Sequence, residues 1–176
     1  MKTFTTRRLV MGALCVALGI VLPLVFHSVP NGGSIFLPMH IPVLLCGFLC
    51  GWPLGALCGV VTPLLSAIFT GMPPMAILPS MICELAVYGL VSGLLYHRVH
   101  TGKPLQDLYL CLAASMLAGR VVSGVVQALL FSAGKYTLTA WLTASFVTAL
   151  PGILIQLVLL PVLITALQKA KLAERL

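Results

Sequence analysis

The chain has 176 residues, 60% of them hydrophobic and 7% charged, with a mean hydropathy of +1.14. Soluble domains carry roughly a quarter charged residues, so a water-surrounded globule is excluded and an integral membrane protein is the class that fits. The net charge of +7 does not form a nucleic-acid patch, because the basic residues are parted by long apolar runs.

One helical span takes about 20 apolar residues, which leaves room for about six spans in a single domain covering residues 1–176. Lys2, Arg7 and Arg8 precede the first apolar run, Arg98 and Lys103 sit in the middle link, and Lys169, Lys171 and Arg175 follow the last. The positive-inside rule then puts both termini in the cytoplasm. The expected fold is an all-α membrane protein, six transmembrane helices in one compact bundle.

Span one, residues 9–26, is longer than a signal-peptide core and lacks a small-residue cleavage site, so it reads as a retained helix. Its Ala13 and Ala17 form a small-xxx-small ridge. In lipid such a ridge lets another helix approach closely, whether from this chain or from a partner. The outer link, residues 27–37, is glycine-rich at Asn31, Gly32, Gly33 and Ser34. Pro38 and Pro42 follow, and their missing amide donors predict no regular helix before about Pro42, with span two over residues 38–51. His40, polar in that stretch, and Asn31 are candidates for a site wall or lid, or for capping the loop backbone.

A short cytoplasmic turn at residues 52–55 leads to span three, which ends near Thr70 and should kink at Pro63. The second outer link, Gly71, Met72, Pro73, Pro74 and Met75, is a stiff turn with an adaptable apolar surface. Span four covers residues 76–96, and His97 and His100 beyond it read as interfacial. Asp107 is placed to cap span five, residues 108–131. A third outer link holds Lys135 and Tyr136, and span six, residues 142–167, should bend at Pro151 and Pro161.

Cys15, Cys46, Cys50, Cys58, Cys83 and Cys111 lie in or at the ends of apolar segments and lack metal-ligand spacing, so they read as buried thiols. There is no HExxH, GxSxG or nucleotide-binding loop. The chain is therefore expected to be no enzyme, to carry no cofactor or metal, and to draw energy for uphill transport from a partner or an ion gradient.

Two charges fall well inside spans, Glu84 and Arg120. A charge at that depth costs at least ~2.5 kcal/mol even on insertion scales, so both must face protein or a wet cavity. Ser80, Glu84 and Tyr88 share one face of span four. Arg120, Ser123 and Gln127 form a stripe on span five, and Ser145, Thr148, Gly152 and Gln156 another on span six. These stripes are expected to line one substrate cavity, against the alternative of a self-neutralising Glu84–Arg120 pair. Near them the aromatic residues are few: Tyr88, Phe131, Tyr136 and Trp141.

The six spans, the basic pair ahead of Ala13 and Ala17, the stretch from Phe36 to Gly47, the run Gly71, Met72, Pro73, Pro74, and the run Glu84 to Gly89 resemble the substrate-binding S components of energy-coupling factor (ECF) vitamin importers. The resemblance covers essentially the whole chain. It implies a cell-membrane binding subunit that captures one micronutrient near the outer face and docks on a transmembrane coupling subunit. Two ATPase subunits then drive its reorientation. By the same resemblance Ala13 and Ala17 dock the coupling subunit, and Asn31, Gly33, Phe36, His40, Met72 and Pro73 belong to the gates. Glu84, Arg120 and Gln127 then contact the ligand, and Tyr88, Gln156, His40 and Asn31, from the polar stripes and the outer link, complete the expected substrate-binding set. Arg120 suits the carboxylate of pantothenate or niacin. Glu84 would suit the donor edge of a base such as queuine, while cobalamin needs a wider mouth. Outside this family, the rival readings are an autonomous ion-coupled carrier with Glu84 as protonatable group and, further off, an intramembrane enzyme.

Overall fold

A computed structural model describes residues 5–26, 28–130 and 137–170. Phe131, Lys135 and Tyr136, like the basic residues Lys2, Lys171 and Arg175, lie outside them. The elements are α1 (Thr6–Val25), α2 (Gly32–Phe36), α3 (His40–Cys50), α4 (Trp52–Thr70), α5 (Leu78–Tyr96), α6 (Pro104–Leu130) and α7 (Leu138–Leu142). A π-helical turn (Thr143–Thr148) and α8 (Leu150–Lys169) complete the order. Among the described residues six segments are long and apolar enough to cross a membrane, with α2 and α3 together making the second. Among the described residues there is no strand.

α3 is the enclosed centre of the bundle and α1 its most exposed span. α4 and α5 form the most extensive helix pair. Their approach is set by Gly55 and Gly89: a Cβ on Gly89 would stand 2.0 Å from the Gly55 carbonyl oxygen, and one on Gly55 2.4 Å from the Gly89 carbonyl oxygen. Helices in lipid associate by packing rather than by expelling water, so this backbone contact is a main hold on the bundle. Overpacking typically costs ~1–3 kcal/mol, and here the obstacle is backbone that cannot rotate away. Gly89→Val is accordingly expected to lower the melting temperature in detergent markedly. An unchanged melting curve would show that α4 and α5 separate at little cost.

Arg7, Arg8, Arg98, Lys103 and Lys169 sit at one end of the bundle, which the positive-inside rule makes cytoplasmic. α2, the 71–77 loop and α7 sit at the other.

Five local expectations need correction. Helix does form before Pro42. Left-handed Asn31 (φ 56) and Leu37 (φ 51) bracket α2, and α3 starts at His40. Pro42 is tolerated because it falls in the first turn of α3, where amide donors have no intrahelical acceptor in any case. α6 begins four residues early, at Pro104. Asp107, already inside it, accepts hydrogen bonds from the backbone amide and hydroxyl of Thr101 and so pins the preceding loop instead of capping the helix. Span six is interrupted by the π-helical turn, and α8 starts beside Pro151, a residue suited to a first turn. The wider π turn also breaks the expected polar stripe: Ser145, Gly152 and Gln156 are buried, whereas Thr148 is exposed.

Candidate functional site

α3, α5 and α6 bring together one charged cluster inside the bundle. His40 opens α3 and is buried, which places its ring beside α5. Its Nε2 lies 3.5 Å from Glu84 Oε1, and Arg120 Nη1 reaches the same oxygen at 3.3 Å. Tyr88, one turn along α5 from Glu84, meets the His40 ring edge-on with centroids 5.2 Å apart. Space for it comes from Gly119 on α6, where a Cβ would stand 2.1 Å from the Tyr88 ring. Glu84 is 6% exposed and Arg120 8%, so both charges are removed from solvent and from lipid.

The expected alternatives for Glu84 and Arg120 thus resolve into a paired arrangement in which only part of the guanidinium is used. Arg120 Nε and Nη2 make no hydrogen bond within the protein. Together these two atoms form the side-on edge of the guanidinium, whose parallel N–H groups match the two oxygens of a carboxylate. The Tyr88 hydroxyl lies beside Glu84 and Arg120 without bonding to either, and His40 Nδ1 is likewise unbonded. Gln156, fully buried on α8, has neither its amide nitrogen nor its amide oxygen bonded. A buried polar group without a partner costs about 1–3 kcal/mol, and buried polar atoms are as a rule bonded, so a concentration of such atoms calls for an explanation.

The other predicted residues are more dispersed. Gln127, half-buried one turn beyond Ser123, donates from Nε2 to the Ser123 hydroxyl at 3.3 Å. Asn31 is exposed and shapes a turn, its carbonyl accepting from Ser34 N and Ile35 N. Gly33 and Met72 are exposed too, while Pro73 is buried behind a cis Met72–Pro73 bond. Phe36 stacks on Phe26 at 4.9 Å and borders an apolar groove of about 310 Å³ between α1, α3 and α8, whose wall includes Leu18, Ile41 and Leu159. That groove has no polar lining residue and is not the polar cavity expected from the stripes.

On α1, Gly12, Cys15 and Gly19 face the bundle, and Ala13 and Ala17 are exposed. The alanine ridge therefore points away from the chain's own helices. The thiols of Cys15, Cys50 and Cys58 gather around Cys46, and every described cysteine is free. No group of three or more metal-ligating side chains occurs among the described residues.

Among the contacts that sequence reasoning missed, one touches the Arg120 turn from outside. Trp141 on α7 donates its indole N–H to the backbone carbonyl of Arg120 at 3.1 Å, across 21 positions of sequence. The ring lies on Gly124, where a Cβ would come within 2.3 Å of Nε1. Its signal in the sequence is slight, because both the acceptor and the seat are main chain.

Six apolar helices enclosing a charged, partly unsatisfied cluster define a multi-pass membrane protein with an internal polar site. Residues 7–164 match the family model described as ECF transporter, substrate-specific component, and the chain belongs to that family. It is therefore a membrane-embedded substrate-binding subunit of an ECF importer in the cell membrane, a transport subunit rather than an enzyme, which works with its substrate and with the ECF coupling and ATPase module. No match was found among curated proteins or among solved structures.

Proposed function

We propose that the protein captures a small carboxylate-bearing micronutrient, with pantothenate as the substrate, near the outer face of the membrane. The unbonded Nε–Nη2 edge of Arg120 carries this reading. Glu84 holds the opposite side of the guanidinium, which aims the free edge at the ligand. Tyr88, Gln127 and Gln156 supply hydrogen bonds to hydroxyl and amide groups, and His40 closes one wall. A base-like ligand that needed Glu84 as acceptor would share the carboxylate with Arg120 and His40, which both face its Oε1.

The whole chain acts as one six-span domain. Asn31, Gly33 and Phe36 around α2, and Met72 and Pro73 in the 71–77 loop, form the gates. Ala13 and Ala17, exposed on α1, dock the coupling subunit, and two ATPases drive the reorientation that releases substrate inside.

The test compares pantothenate with pantothenol, which carries an alcohol in place of the carboxylate. Two charge-assisted hydrogen bonds at about 1.5–3 kcal/mol each predict at least ~100-fold weaker binding of pantothenol in a titration of the purified protein. Equal affinities would remove Arg120 from its assigned role. If neither binds and niacin binds in preference to nicotinamide, the carboxylate edge stands and the substrate is niacin.

A further inference from the structure

We propose that α7 is a lid over the outer side of the Arg120 site and that Trp141 is the latch holding it shut. The inference rests on the reading of Arg120 as a ligand-facing residue and adds a third gate to the two above. α7 has no buried residue, and Trp141 is the one member of this short helix that is even half-buried. The helix packs chiefly on the π-helical turn that follows it. Its anchorage to α6 comes from the indole hydrogen bond and from the fit of the ring on Gly124.

Lid, hinge and latch are distinct pieces of chain. The Thr137 hydroxyl accepts from Ala140 N at 3.2 Å, so α7 is locally capped and can move as a unit. The π-helical turn supplies the hinge, an interruption of the α-helical ladder of a kind frequent at functional sites. Phe146 within that turn meets Trp141 edge-on at 5.8 Å and ties hinge to latch. The latch point matters for chemistry. The carbonyl that receives the indole belongs to the residue with the free guanidinium edge, and its second lone pair remains available to the α6 ladder. Trp141 thus acts as a positioning residue, fixing the turn of α6 that presents Arg120 and screening the approach to it.

The test labels arginines with phenylglyoxal in the full-length protein in nanodiscs, without ligand, and reads each site by peptide mass spectrometry. Arg120 is expected to react about tenfold faster in Trp141→Ala. Gly124→Ala should do the same, because the added Cβ displaces an intact indole. Trp141→Phe, which keeps a ring and loses the N–H, should fall between. Exposed Arg98 at the opposite end serves as the internal control and should not change. Unchanged Arg120 rates in both Trp141→Ala and Gly124→Ala would overturn the proposal, as would equal acceleration at Arg98, which signals general loosening. Dissociation of radiolabelled pantothenate should quicken in the same order. Should the unaltered protein not bind pantothenate, the substrate assignment fails and the Arg120 rates still decide the latch.

Discussion

Arg120→Ala is expected to weaken pantothenate binding by at least ~100-fold, the loss that follows from removing two charge-assisted hydrogen bonds. This variant also leaves Glu84 buried beside His40 without its stronger partner. Breaking a buried pair from one side costs about 3–5 kcal/mol, so the single substitution confounds binding with folding. The neutral pair Glu84→Gln with Arg120→Gln separates them, since it removes both charges together and leaves a polar amide at each position. That double variant should run as a monodisperse species with a melting temperature near the starting protein's, yet show no pantothenate binding by titration calorimetry. Retained affinity with a depressed melting temperature would make the pair purely structural.

Replacing Ala13 and Ala17 together with leucine is expected to leave substrate affinity within about twofold and to abolish ATP-driven uptake in proteoliposomes containing the coupling and ATPase subunits. Both alanines are exposed on α1, and the face that packs on α3 and α4 is carried by Gly12, Cys15 and Gly19, so larger side chains there do not enter the bundle. They would instead hold a docking helix away, and small residues matter in lipid because they permit close backbone approach. Co-purification of the coupling subunit at an unchanged level would discard the docking assignment.

The bundle was legible because the bilayer imposes a length on each apolar run and cationic residues mark its cytoplasmic ends. What escaped were element boundaries near proline. Pro42 argues against helix in isolation, but it falls within the first turn of α3, where the absent amide costs little. Glu84 and Arg120 stood out because charge is scarce in a span. The contacts of Tyr88 with His40 and of His40 with Glu84 depend on the crossing of α3 and α5, which no one-dimensional spacing encodes. Thr148 was misplaced because a stripe drawn at α-helical spacing fails where the backbone widens into a π turn. Trp141 was noticed only as a nearby aromatic residue, since a main-chain acceptor and a glycine seat leave no residue-type pattern.

Native mass spectrometry of the protein released gently from its own membranes tests most directly whether the buried cluster is a ligand site. The account predicts a bound adduct with the mass of a small carboxylic acid, present in the starting protein and missing from the Glu84→Gln, Arg120→Gln double variant. The same adduct retained by the double variant, or a starting protein that carries no small carboxylic acid, would contradict it.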